Sequence, residues 1–477
     1  MPTNAPLDDR VKRVLPWLVA VGLFMENLDI SILNTAVPTI AQDLGTSALS
    51  LKSVLTTYTL ALAIFIPISG WMADRFGTRR VFRVAVALFT IGSLLCGLSV
   101  NLEMLIASRF LQGVGGAMMT PVGRIALIRA FPRSQMITMM NYVVIPALVA
   151  PLLGPVVGGF MVHLLPWQSI FFVNLPIGIA GWWMIRRYMP NYDDPEVPPL
   201  DTLGVLLLGA GVALLSYVLE IFGEHTWPPV EISLMFLASA VLLIGYALHA
   251  RRTPTPVMDM HLFRLRTFRL SVVGGFITRL GVGGMPFLLP LLYQIGMGFS
   301  PLKAGLLTMP LAVAAIGMKI MSKPVLSRFG HRNVLVWNTV LLGCNMCLYY
   351  FIGPGTPLIF IVLLGLLQGL FMSLQFTAMN SLTYADVADV RASKATSIAS
   401  TGQQMAISFG IAMASLVAAM FLQDIPQTAK LEYVNGLHSA FLILGAFTVL
   451  SSFTFRGLRP MDGSNVSQYV LKKEAVV

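Results

Sequence analysis

Charge is scarce in this chain: 11% of its 477 residues are Asp, Glu, Lys or Arg, against 56% hydrophobic ones. A soluble domain carries about 25% charged residues, so a chain this poor in charge, with a mean hydropathy of +0.77, cannot hide its apolar surface in a water-facing core. Acids are scarcer than bases, 21 against 32, but the bases gather in short loops rather than on one face, which excludes a nucleic-acid surface. Cysteine is nearly missing. Cys96, Cys344 and Cys347 all lie in apolar runs, which excludes a disulfide framework, and the Cys344-x-x-Cys347 pair reads as two packing residues one turn apart. The chain has no phosphate-cradling Gly-x-x-x-x-Gly-Lys-Ser/Thr loop, no metal-ligand cluster and no Ser, His and Asp set that spacing would unite. An ATP-driven pump and an enzyme are therefore disfavoured, and no catalytic residue, metal or cofactor is expected.

What is present is a succession of apolar runs, each near the twenty residues or so that a helix needs to cross a bilayer. They fall near residues 14–37, 53–72, 84–100, 102–122, 138–162 and 169–185, then 203–222 and 231–248, then 270–292, 303–322, 334–352, 358–380, 395–421 and 438–455. This predicts an all-α polytopic membrane protein with fourteen spans arranged six, two, six. The first run lacks a small-residue cleavage site and reads as a retained span. The two ends and the loops after even-numbered spans hold 26 of the 32 Lys and Arg residues, while the other side holds Lys52, Lys303 and Lys430. By the positive-inside rule both termini face the cytoplasm, which places the protein in the cytoplasmic (inner) membrane.

Two phrases are repeated. Arg75-Phe76-Gly77-Thr78-Arg79-Arg80-Val81 returns 253 residues later as Arg328-Phe329-Gly330-His331-Arg332-Asn333-Val334, and Leu111-Gln112-Gly113 returns 256 residues later as Leu367-Gln368-Gly369. The offsets divide the chain into equivalent six-span bundles at 1–190 and 266–477, with two inserted spans and their linkers at 191–265. Parallel repeats of this kind suit a transporter whose halves rock about a shared central site.

An ionised side chain at mid-membrane costs about 2.5–3.5 kcal/mol on insertion scales, so each one asks for a partner or a wet cavity. Glu26 and Asp29 share one face of span 1, and Arg109 lies at a similar depth in span 4, so the acids and the arginine can meet. Such a set either carries a proton or simply locks two helices. Arg279, deep in span 9, either lines a cavity or bonds to nearby backbone. Glu26 fits three roles: a second protonation site, a preference for cations, or a polar cavity wall. Lys319 and Glu220 lie near span ends and should snorkel, while His163, His225 and His438 fall near loops on the side away from the termini.

Several motifs resemble the major facilitator superfamily, and within it the fourteen-span drug:proton antiporters, over essentially the whole chain. Gly70-Trp71-Met72-Ala73-Asp74-Arg75-Phe76-Gly77-Thr78-Arg79-Arg80 looks like the signature loop between spans 2 and 3, a conformational latch in that family. By this resemblance Gly70, Asp74, Arg75, Gly77, Arg79 and Arg80 form the latch, with Gly70 allowing close helix approach and Asp74 meeting an arginine. The second copy has Ser327 where Asp74 would be. The segment from Leu105 to Ala117 resembles the span 4 motif whose arginine is associated with proton transfer, so Arg109 and Gln112 inherit that role. Leu28-Asp29-Ile30-Ser31-Ile32-Leu33-Asn34 resembles the span 1 motif, with Asp29 and Asn34 in matching places. Gly154-Pro155-Val156-Val157-Gly158-Gly159 resembles the antiporter motif, although Ala150 stands where glycine is frequent; helix packing alone would explain the same residues. Phe171-Phe172-Val173-Asn174-Leu175-Pro176 and Leu200-Asp201-Thr202-Leu203-Gly204 look like segments of the fourteen-span group.

The resemblance implies proton-coupled export of an amphipathic small molecule, with Asp29, Glu26, Asn34, Arg109, Gln112 and Arg279 as proton-coupling or substrate residues. The expected partners are protons, a small-molecule substrate and the lipid bilayer, with no nucleic acid, and the protein is expected to be a monomer. A symporter or facilitator for a metabolite has the same fold, as does a sensor that has lost transport.

Overall fold

Inside lipid a backbone has no water to bond, so long apolar runs satisfy their N–H and C=O groups within helices. The computed structural model describes residues 9–131, 136–194, 196–221, 228–388, 391–422, 429–467 and 469, and no strand occurs among them; His225 lies outside the described residues. The helices of the first half are α1 (Asp9–Asp43), α2 (Lys52–Phe76), α3 (Thr78–Gly97), α4 (Leu102–Ala130), α5 (Met136–Leu164), α6 (Ser169–Phe172) and α7 (Asn174–Tyr188). Two follow in the middle, α8 (Thr202–Ile221) and α9 (Pro229–Arg252). The rest are α10 (Arg266–Val282), α11 (Met285–Pro290), α12 (Pro301–Leu348), α13 (Leu358–Tyr384), α14 (Ala392–Leu422), α15 (Lys430–Ser451) and the short α16 (Ser464–Ser467).

Among the described residues, eleven helical segments are long and apolar enough to cross a membrane. The difference from fourteen runs has physical sources. The stretch labelled α12 holds two runs in two helices that meet at a non-helical corner, Gly330 with φ 74° and ψ 158°, and so count as a single segment. Helix α4 is interrupted by Glu103, Arg109, Arg124 and Arg129, and in α5 the apolar stretch is the shorter Val149–Leu164. The ninth run is also not one smooth helix, because Pro286 and Pro290 flank a change from α10 to α11 and then to a π-helical turn at Leu291–Gly296.

The repeated Arg-Phe-Gly phrase has the same backbone shape twice: Gly77 has φ 87° and Gly330 φ 74°, a region that glycine enters without a Cβ penalty. Each corner is covered by the chain that follows the last helix of its own half. Tyr192 carbonyl accepts from Thr78 N at 3.0 Å, Tyr192 N donates to Thr78 Oγ1 at 3.1 Å, Asn191 Oδ1 accepts from Arg79 N at 3.2 Å, and Asp194 N donates to Asp74 carbonyl at 2.9 Å. In the second half the Tyr469 ring lies against Gly330, and Asn465 Nδ2 donates to Ala385 carbonyl at 2.5 Å. Gly77→Ala would be strained in φ and would drive its methyl into Asn191. We expect a cost of about 1–2 kcal/mol, read as a fall of about 2–8 °C in the melting temperature of the purified protein.

The chain start at α1, the ends of α2 and α4 and both covering segments lie on one face, called the terminal face below. Contacts between the halves gather toward the opposite face. Gln294 Nε2 donates to Thr35 carbonyl at 2.8 Å, Ser408 Oγ to Thr56 carbonyl at 3.2 Å and Ser415 Oγ to Leu49 carbonyl at 3.5 Å. A large apolar core joins Leu33, Ile40 and Val54 of the first half to Phe287, Tyr349 and Leu437 of the second. Helix α8 packs against both α2 and α14, so the inserted pair touches the two halves. The molecule is thus sealed on the face away from the termini.

Candidate functional site

Helix α1 places Glu26 and Asp29 one turn apart, and α4 places Arg109 and Gln112 one turn apart on the face that meets it. Arg109 Nη1 donates to Asp29 Oδ2 at 2.5 Å and to Gln112 Oε1 at 2.6 Å; Gln112 Nε2 donates to Asp29 Oδ1 at 2.8 Å. All three side chains are buried, Asp29 with 3% of its surface exposed, so the pair is shielded from water and its charges depend on each other. Arg109 is held further by the Val54 carbonyl, 3.4 Å from Nε, and by the Tyr58 ring, whose centroid lies 4.2 Å from Cζ. Glycines explain how α4 reaches its neighbours: a Cβ at Gly113 would strike Ala61 and Tyr58 of α2, and one at Gly115 would strike the α3 backbone at Phe89.

Four participants are not evident from motif or spacing. Asn174, the first residue of α7, donates from Nδ2 to Asp29 Oδ1 at 2.9 Å and to Ser93 Oγ at 3.0 Å, and Ser93 Oγ donates to Phe171 carbonyl at 2.8 Å. Tyr58 stacks on Arg109, and Thr120 Oγ1 donates to Glu26 Oε2 at 2.6 Å. Asn174 stood in a quoted motif without a role; the other three are ordinary polar residues in apolar helices, whose only signal is that each needs a partner once buried.

The remaining expected residues are placed elsewhere. Asn34 is half-buried and does not reach Asp29. Arg279 sits wholly among second-half groups, donating to Gly275 carbonyl at 3.2 Å and to Gln403 Oε1 at 3.5 Å, with the Phe376 ring 4.5 Å from Cζ. Arg279 thus meets backbone, an exposed glutamine side chain and a ring, all of its own half. In the second half Gln368 occupies the place of Gln112 and bonds Asn345 at 2.8 Å, while Gly365 stands where Arg109 would be. The charges of the central network belong to the first half alone. His163 is exposed, as its loop position suggests, whereas His438 Nε2 lies 2.7 Å from Ile352 carbonyl.

At the terminal face Asp74 meets Arg129 of α4 at 2.6 Å, and Arg75, Arg79 and Arg80 are exposed. Gly70 departs from expectation: a Cβ there would meet no atom within 4 Å. Close helix approach is not what Gly70 provides in this conformation, because its surroundings on the terminal side stand open. The glycine-rich stretch of α5 is packed on two sides. Gly154 and Gly158 press on Ser31 and Ile32 of α1, while Gly159 presses on Pro301 and Leu302, and the Pro155 carbonyl meets Gly305 of α12.

The model of the Major Facilitator Superfamily matches residues 19–411 and 271–474. The chain belongs to the major facilitator superfamily. A multidrug resistance protein, MdtD, of Pectobacterium atrosepticum is 37% identical over 460 residues, 96% of this chain and 97% of that protein. The MdtD of Shigella flexneri is 41% identical over 408 residues, 85% and 86% of the two chains. Among solved structures, the POT family transporter PepTSo superposes with a TM-score of 0.70 at 13% identity, covering 95% of this chain and 98% of that one. A D-xylose-proton symporter superposes with a TM-score of 0.65 at 16% identity, covering 95% and 99%. The superfamily is one of membrane transporters rather than enzymes.

Proposed function

We propose that the protein exports amphipathic small molecules across the cytoplasmic membrane in exchange for protons, by alternating access. The observation that carries this reading is the Asp29 carboxylate, buried on the inner side of one half and held by Arg109 and Gln112, where a proton and an arginine compete for one acid. An inward proton moving down roughly 100 mV and one pH unit releases about 3.7 kcal/mol, which supports an outward gradient of roughly 500-fold. The seal on the face away from the termini fits a molecule open to the cytoplasm, and the loop charges favour both termini there. In this reading the chain has fourteen spans, counting α12 as two and α4 and α5 as one each, in bundles 1–190 and 266–477 around the inserted 191–265. Asp74 with Arg129, together with Gly70, Arg75, Gly77, Arg79 and Arg80, sets the balance between conformations, while Gly154, Pro155, Gly158 and Gly159 form the seam. The protein works as a monomer without a cofactor. The name multidrug resistance protein carried by the MdtD relatives supports a drug-like cargo.

The test is ethidium movement in proteoliposomes under an imposed pH gradient. Gradient-dependent transport against the ethidium gradient is expected. Transport of equal rate with and without the pH gradient would instead make the protein a facilitator.

A further inference from the structure

Asn174 is joined to Asp29, yet its own side-chain oxygen is idle. Its Nδ2 donates to Asp29 Oδ1 and Ser93 Oγ, at 2.9 and 3.0 Å, while among the described residues no donor reaches Asn174 Oδ1, although the residue has 0% of its surface exposed. A fully buried amide carbonyl without a donor is costly, by about 1–3 kcal/mol, and asks for an explanation. The partners of Asp29 supply one. Arg109, Gln112 and Asn174 all offer N–H groups to it, the set that suits an ionised carboxylate. A protonated Asp29 has an O–H to donate, and its neighbours have little to receive it with, because Gln112 Oε1 already accepts from Arg109 at 2.6 Å.

We infer that Asn174 is a positioning residue that reads the protonation state of Asp29 by turning its amide. With Asp29 ionised, Nδ2 faces the carboxylate, as seen. When a proton adds to Asp29, the amide turns over, Asn174 Oδ1 accepts the new O–H, and the hydroxyl of Ser93 swings from the Phe171 carbonyl to donate to the same oxygen, while Nδ2 gives up its bonds to Asp29 and Ser93 and the Phe171 carbonyl gives up that of Ser93. Arg109 keeps Gln112 Oε1 and the Val54 carbonyl through the change. The proton remains on Asp29 throughout and no bond other than hydrogen bonds is exchanged. The mechanical consequence lies at the junction of α6 and α7, where Phe171 and Asn174 flank the break in that span. Protonation on α1 thereby alters the tie between α3 and the α6–α7 junction. The other titratable or charged groups close to Asp29 are Glu26 on α1, Tyr58 on α2, Cys96 on α3 and Arg109 on α4; α5 presents Gly154 and Gly158 to α1 there.

The inference rests on the proton-exchange reading above, and its test separates the two. In proteoliposomes, Asn174→Leu loses gradient-driven efflux by about tenfold or more, a larger factor than its loss of ethidium–ethidium exchange, and flattens its pH profile; Asn174→Gln, which retains the amide N–H and C=O, restores the profile. Infrared difference spectra after a pH jump show a side-chain amide carbonyl change, absent in Asn174→Leu, that accompanies the carboxyl band lost in Asp29→Asn. A wild-type pH profile in Asn174→Leu, an equal loss of exchange and driven efflux, or a carboxyl band without the amide change would each overturn the role of Asn174. If Asp29→Asn itself retained gradient-driven efflux, the coupling proton would be carried elsewhere and this inference would fall while proton exchange stood; efflux of equal rate with and without the pH gradient in the wild type would bring down the proton-exchange reading and this inference with it.

Discussion

Replacing Asp29 with asparagine is expected to abolish gradient-driven efflux, lowering it by about 100-fold or more, because an amide of the same shape cannot carry the proton. Asparagine can still accept from Gln112 and Asn174 through Oδ1, so the fold of α1 against α4 and α7 is retained. What it cannot do is balance Arg109, whose guanidinium is 1% exposed and 2.5 Å from the carboxylate. Leaving one member of a buried pair costs about 3–5 kcal/mol, so the single variant should also melt earlier. Two causes of lost transport would then be confounded. Combining Asp29→Asn with Arg109→Gln removes both charges, and most of the melting temperature should return while driven efflux stays lost. Return of driven efflux in the double variant would show that the pair only locks two helices and that the coupling proton is carried elsewhere, with Glu26 the next acid to examine.

The heart of that network was legible before any coordinates, and the reason is physical. Asp29, Glu26 and Arg109 are charges in apolar helices, which lipid forbids without partners, and the depths of Asp29 and Arg109 matched; Glu26 finds Thr120 rather than the arginine. Gln112 was legible only through the resemblance of its span 4 segment to the family motif; its place three residues from Arg109, on the same face, is what brings it to Asp29. Asn174, Ser93, Tyr58 and Thr120 were not, since an uncharged polar group in a membrane helix is cheap enough to occur anywhere and its partner comes from another helix. The same contrast holds for the fold. Apolar runs located the helices, including the two that meet at the Gly330 corner, but not that a short segment after α7 would lie across Gly77. Local composition determines helix existence, whereas covering depends on contacts between residues more than a hundred positions apart. Gly70 belongs to a third kind: the neighbour that its motif leads one to expect is not beside it in this conformation.

Gly159→Leu is expected to reduce transport about as severely, for the opposite reason, by wedging the sealed face apart rather than removing the proton. A Cβ at Gly159 would lie 2.5 Å from the Pro301 carbonyl oxygen and 2.9 Å from Leu302 Cα, and these are backbone atoms at the start of α12 that cannot swing aside. The remaining atoms of leucine add to the overlap, so α5 and α12 must separate along the seam that also carries the Pro155 and Gly305 contact. Overpacking of a tight site costs about 1–3 kcal/mol where the structure can relax, and here relaxation means opening. The conformation sealed opposite the termini becomes unfavourable, and a shift of that size changes its population by about tenfold to 100-fold. Spin labels placed across the opposite face should report a longer distance in Gly159→Leu. Gly70→Leu supplies the contrast: its side chain meets open space in the present conformation, so label distances and melting temperature should stay near wild type while transport falls, if closing the terminal face brings a helix against that position. If the labels in Gly159→Leu kept the wild-type distance while the protein lost stability, the glycine stretch would be a packing device alone, and alternation between the two sealed states would have to depend on the terminal-face pair of Asp74 and Arg129.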